Sequence, residues 1–107
     1  MLIKEKISKE KFAETAKDAD MLKLVVDIEK EVLSLDCVFH VDCADELLRT
    51  GSKGKDLWGA NVYPKEKKLD FSAVFNVKPH YNNRSMEVQD AAIRGKVEAV
   101  IRKLLPL

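Results

Sequence analysis

The clearest pattern in the chain is a period-two alternation in its third quarter. Leu69, Phe71, Ala73, Phe75 and Val77 fall on one side of an extended segment, and Asp70, Ser72, Asn76 and Lys78 fall on the other. Just upstream, Trp58, Ala60 and Val62 alternate with Gly59, Asn61 and Tyr63. A loop of Pro64, Lys65, Glu66 and Lys67 sets Val62 opposite Leu69 and Ala60 opposite Phe71, which gathers the apolar side chains on one face of a hairpin. A slip of one residue would press Asp70 against Trp58, so the register is strongly specified.

Elsewhere the period changes. Ser8 stands where an N-cap belongs, before a helix with Phe12, Ala16 and Ala19 on one face, and Ile7 and Phe12 have the spacing of a hydrophobic staple. Leu22, Leu24, Val26 and Ile28 alternate with more polar neighbours, and the β-branched content predicts a strand. A turn at Glu29–Glu31 returns Val32 to Leu35 as its partner, with Val38 to Val41 prolonging that strand. Asp42 then caps a helix carrying Leu47 and Leu48 that stops at Gly51. Near the end, Asp90 caps a helix with an apolar stripe of Ile93, Val97, Val100, Ile101 and Leu104. These elements predict a two-layer α+β domain over residues 1–107, a mainly antiparallel sheet covered by helices in the order α-β-β-α-β-β-α.

Composition changes this picture little. At 107 residues the chain has the size of one domain, and its 46% apolar content excludes disorder. Charged residues make up 35% and glutamine occurs once, as Gln89, a balance seen in thermophile proteins. No apolar run reaches the roughly 20 residues needed to span a bilayer, so no membrane contact and a cytoplasmic location are expected. Charge is unevenly placed: residues 1–48 carry 7 Lys/Arg against 12 Asp/Glu, whereas residues 49–84 carry 8 against 3. That asymmetry can mark an anionic partner or let two halves of one fold attract each other.

Cys37 and Cys43 stand six apart with no CxxC and no clustered histidines, which argues against zinc. With the intervening residues extended, their sulfurs would be too far apart to bridge, and buried reduced thiols are expected. The Gly51-Ser52-Lys53-Gly54 loop resembles a phosphate cradle in composition. It lacks the Walker A spacing, and it leads into a strand where a KH-type loop would join two helices, so it reads as a helix stop and basic turn.

His40, Asp42 and Glu46 could hold a divalent metal or exchange protons if the strand reaches Asp42, which is the basis of a metal-dependent hydrolase or nuclease reading. The polar side of the hairpin, with Asn61, Asn76, Lys78, His80, Tyr81 and Arg84, mixes bases with aromatics and could meet nucleic acid. Leu57 and Val74 are apolar on that side and would suit a partner chain. There is no GxSxG and no arranged nucleophile and base, so a covalent hydrolase has no support.

The motif order is His40-x-Asp42 with Glu46, Gly51-Ser52, Asp56-Leu57-Trp58-Gly59-x-Asn61-x-Tyr63-Pro64, Asn76-x-x-Pro79 and Asn83-Arg84-Ser85. From about Leu24 to the C-terminus this resembles a family of small prokaryotic proteins of unknown function. The resemblance implies no activity. It does imply a polar signature of His40, Asp42, Glu46, Ser52, Trp58, Asn61, Asn76, Arg84 and Ser85, from which the chain departs around Asp36–Cys37, at Gly54 and in the His80–Asn82 loop. The leading expectation is a small cytoplasmic binding or interaction module whose molecular function the sequence does not determine, with no recognisable catalytic set, no cofactor and no metal, and with a homodimer as one form. Metal-dependent hydrolysis through His40, Asp42 and Glu46, and nucleic-acid binding through the basic 49–84 half, are the alternatives.

Overall fold

Ser8 caps the first helix as its position predicts, its hydroxyl accepting the Lys11 N–H at 3.0 Å. The computed structural model describes residues 1–107, and in chain order its elements are β1 (Leu2–Ile3), α1 (Lys9–Ala16), β2 (Leu22–Asp27), β3 (Val32–Leu35), α2 (His40–Arg49), β4 (Leu57–Tyr63), β5 (Lys68–Asp70) and α3 (Ala91–Leu104). Short 3-10 turns lie at Gly54–Asp56, Val74–Asn76 and Pro79–Tyr81. Apart from the two-residue β1, this is the expected α+β order. The five strands form one antiparallel sheet in the order β1-β3-β2-β4-β5, so the hairpin strand β4 sits beside β2.

The expected hairpin register holds, with Val62 opposite Leu69 and Tyr63 opposite Lys68 across the Pro64–Lys67 loop. The β2–β3 turn is equally local in origin. Asp27 Oδ1 accepts the N–H groups of Glu29 and Lys30, both at 2.9 Å, and Glu31 takes a left-handed φ of 55°.

Both faces of the sheet are buried, because alternate residues of β2 and β4 face opposite ways. Leu22, Leu24, Val26, Trp58, Ala60 and Val62 pack with Phe12 of α1 and with Val97, Val100, Ile101 and Leu104 of α3. On the reverse face, Val25 and Leu57 pack with Cys43, Ala44 and Leu47 of α2. The predicted α3 stripe is therefore core, and Asp90 caps that helix by accepting the Ala92 and Ile93 N–H groups.

Four expectations are corrected. The second hairpin strand ends at Asp70, well short of Val77, because the Asp70 carboxylate accepts the Ser72 N–H at 2.8 Å and turns the chain away. Phe75 consequently packs on the α2 side of the sheet, and Val77 is exposed. Strand β3 does not run to Val41: Asp36 adopts a φ of 66°, and α2 begins at His40. Asp42 is then a first-turn residue whose carboxylate accepts the Phe39 N–H at 3.1 Å, inside the helix it was expected to precede. That helical turn also changes the cysteines. Cys37 and Cys43 are disulfide-bonded, with Cα atoms 5.8 Å apart, where an extended segment would have separated them.

Candidate functional site

Strand β5 ends after three residues, which leaves the lower part of β4 with backbone groups that no strand pairs. An open sheet edge of this kind must be covered or satisfied some other way. The 71–90 segment supplies side chains in place of a strand. Asn76 is fully buried; its Oδ1 accepts the Gly59 N–H at 2.7 Å, and its Nδ2 donates to the Gly59 carbonyl at 3.0 Å. The same Nδ2 reaches the carbonyls of Phe71 at 3.3 Å and Met86 at 3.2 Å. Asn83 locks the next turn, with Nδ2 donating to the carbonyls of Asn76, Ser85 and Glu87 and Oδ1 accepting the Gln89 N–H.

Lys78 completes this edge. Its ammonium donates to the carbonyls of Leu57 and Gly54, and it lies 4.3 Å from the Trp58 ring centroid and 4.9 Å from that of Phe75. Burial pushes its pKa down to about 8, against the opposing pull of Asp56. A folded pKa below the unfolded value of 10.5 means that the unfolded chain binds more protons between the two. Stability should therefore rise as the pH climbs from about 8 toward 10.5 and stay flat below 8 on this account. Urea titrations of the wild type and Lys78→Met across that window test the sign; parallel profiles would show that Lys78 titrates as an ordinary surface lysine.

Three members of the polar signature converge over Gly59. His40 Nε2 lies 2.9 Å from Asn61 Oδ1 and 3.0 Å from the Ala60 carbonyl. Both are acceptors, the Asn61 orientation being fixed by its own Nδ2 donating to the Ser72 carbonyl, so the ring proton sits on Nε2. Gly59 has no room for a side chain there: an added Cβ would lie 2.8 Å from Ala73 Cβ and 3.1 Å from His40 Cδ2.

Above this junction opens a cleft of about 420 Å³, lined by Lys23, Phe39, His40, Val41, Val74 and Phe75. Its rim is unusually apolar for a surface. Phe39 is 62% exposed, Val41 52% and Val74 76%, and neighbouring Val38 is 74% exposed. Both hydrogen bonds of His40 use Nε2, which leaves Nδ1 as the ring atom a ligand in the cleft could meet. The Lys23 ammonium donates to the Val38 carbonyl at 3.0 Å and sits 5.6 Å from the Phe39 ring, which holds this wall against β2.

The other signature residues lie elsewhere. Glu46 accepts the Ser34 hydroxyl at 2.5 Å, a bond that holds its carboxyl below the ordinary value, and it pairs with the N-terminal ammonium at 3.3 Å. His40, Asp42 and Glu46 thus engage three separate sets of partners, contrary to the arrangement that a metal-dependent hydrolase would need. No group of three His, Cys, Asp or Glu side chains is placed to hold a metal. Ser52 donates to Asp27 Oδ2 at 2.6 Å, and Gly51 at φ 98° closes α2, with the Gly51 and Ser52 N–H groups returning to the Leu48 and Leu47 carbonyls. The loop's glycine and serine thus terminate a helix and fasten it to β2. Arg84 is exposed, its backbone N–H donating to Gln89, and Ser85 Oγ accepts the Glu87 N–H.

The basic half is partly matched by acids: Lys55 pairs with Asp56, Lys65 with Asp20 and Lys68 with Glu66. Sequence reasoning missed Gly59 as a close-packed position and Asp27 as the anchor of two loops. A charged residue ending an apolar strand just before a turn was the available signal for Asp27.

No helix is long and apolar enough to cross a membrane. The chain belongs to a family described as protein of unknown function, DUF5674, whose model matches residues 1–104. Neither the curated proteins nor the solved structures contain a match.

Proposed function

We propose that this member of the family is a small cytoplasmic binding module that seats an apolar side chain of a partner protein in the cleft between α2 and the Val74–Asn76 turn. The observation that carries the reading is the exposed apolar rim, three side chains more than half accessible, Phe39, Val41 and Val74, around a depression that His40 also lines, with exposed Val38 next to Phe39 in the chain. Isolated exposed valines are common, but a contiguous group around a concavity is how protein-binding surfaces are built. The polar residues expected to touch a ligand have another task in this reading. Asn61 is hydrogen-bonded to His40, which lines the cleft, and Asn76 fixes Gly59 against which His40 packs.

A second copy of the chain is the simplest partner. The patch offers both a depression and protruding valines, which a two-fold contact can fit into each other. Sedimentation equilibrium should then give a dimer for the wild type and a monomer for Val74→Glu, with the same far-UV circular dichroism because Val74 is 76% exposed in the single chain, and with a melting temperature that no longer rises with protein concentration. Should the wild type stay monomeric, and peptides bearing a single Leu or Phe leave the amide resonances of Phe39, Val41 and Phe75 unmoved, the docking reading fails.

A further inference from the structure

We propose that Cys37 and Cys43 form a reversible dithiol–disulfide site that sets the rigidity of the cleft wall; the regulatory part of this inference rests on the docking reading above. The two cysteines bracket Val38–Asp42, so their bond closes a small ring around Phe39, His40 and Val41, half of the residues lining the cleft. Helix α2 begins inside that ring and brings the Cα atoms to 5.8 Å, a separation at which a disulfide forms without moving the backbone.

The two sulfurs are unequally placed. Cys37 is half-buried, whereas Cys43, on the buried face of α2, is 1% exposed. Reduced thiols also have a place in the same packing. The Lys23 carbonyl oxygen lies 3.7 Å from Cys37 Sγ and 4.0 Å from Cys43 Sγ, within reach of an S–H donor. In the dithiol form the wall keeps its Lys23–Val38 and Phe39–Asp42 hydrogen bonds but loses its covalent closure.

The oxidant is a low-molecular-weight disulfide. The Cys37 thiolate attacks one of its sulfurs, the S–S bond breaks, and one small thiolate leaves, giving a mixed disulfide on Cys37. The Cys43 thiolate then attacks Cys37 Sγ and expels the second small thiolate. The protein loses two electrons and two protons, and the two departing thiolates take up the protons as thiols. In a reducing compartment a disulfide of this kind is transient and tracks the thiol pool.

The test uses the full-length protein, reduced, desalted and treated with oxidised glutathione, with intact mass and amide hydrogen exchange as readouts. The wild type should lose two hydrogens and keep no glutathione, and dithiothreitol should reverse the change. Cys43→Ser should retain one glutathione on Cys37, and Cys37→Ser should retain none. Exchange at residues 38–42 should slow by about tenfold or more in the oxidised form, because ring closure removes local opening. Glutathione persisting on the wild type, or no reaction, overturns the dithiol site. Equal exchange in the two forms overturns its control of the wall. Neither readout needs a partner, so a wild type that stays monomeric and binds no such peptide would remove the docking reading while leaving the thiol chemistry to stand or fall on its own results.

Discussion

Asn76→Ala is expected to lower the melting temperature by about 15 °C, equivalent to about 4 kcal/mol for a domain of this size. One amide side chain here does the work of a missing strand. Truncation strips the Gly59 N–H and carbonyl of their side-chain partner at a site from which solvent is excluded, while the Phe71 and Met86 carbonyls lose one donor and keep the Val88 and Ala73 N–H groups. Each buried group left unpaired costs about 1–3 kcal/mol, and partial relaxation or an entering water brings the sum down. The isosteric Asn76→Asp sharpens the test. Its carboxylate would still accept the Gly59 N–H but would face three carbonyls without a proton to donate. Those carbonyls raise the folded-state pKa of the new carboxyl above the unfolded value of about 3.9, so the variant should gain stability as the pH falls toward that value. Thermal melts followed by circular dichroism at pH 7 and pH 4.5 decide it. A near-wild-type melt for Asn76→Ala would show that the 71–90 segment is held by its apolar contacts alone.

Gly59→Ala should cost about 2–3 kcal/mol for a different reason, overpacking. The new methyl would sit 2.8 Å from Ala73 Cβ and 3.1 Å from His40 Cδ2, well inside the roughly 3.5–4.0 Å at which carbons pack favourably. Ala73 belongs to the same segment that Asn76 ties to β4, so the strain cannot relax without loosening those hydrogen bonds. Combining Gly59→Ala with Ala73→Gly removes the shorter contact and should restore about half of the lost stability. If the double variant melts no higher than Gly59→Ala, the clash with Ala73 is not the cause. The His40 side chain reports independently, since its Nε2 bonds to Asn61 and Ala60 would be displaced and its proton resonance would shift.

The two substitutions act on one junction, and their effects should be less than additive. Once the segment has come away from β4, the Cβ at residue 59 has nothing left to strike. The same dependence explains why the wall of the cleft is well formed. His40 at the first turn of α2, Asn61 on β4 and Ala73 on the crossing segment are held by a shared set of hydrogen bonds and contacts, although 33 positions separate the first from the last.

Much of this protein follows from the order of its residues, because the relevant forces act within a few positions. Ser8 and Asp90 cap helices through amides two or three residues away, Gly51 closes α2 through its own backbone freedom, and the Pro64–Lys67 loop fixes the Val62–Leu69 register. The α3 stripe and the Trp58–Ala60–Val62 alternation define buried faces for the same local reason. Tertiary structure alone decided the remainder. Asp70 turns the chain locally by accepting the Ser72 N–H, but the amides that then fall across β4 meet backbone groups far away in sequence, which no periodicity reveals. The start of α2 at His40 brought two cysteines together and drew His40 apart from the partners of Glu46, so that the three residues of the alternative metal reading stand apart and His40 lines an apolar cleft. A strand and a helical turn place the same few residues on different faces, and the choice between them at residues 38–42 rests on Asp36, Asp42 and the packing of Cys43 against the sheet.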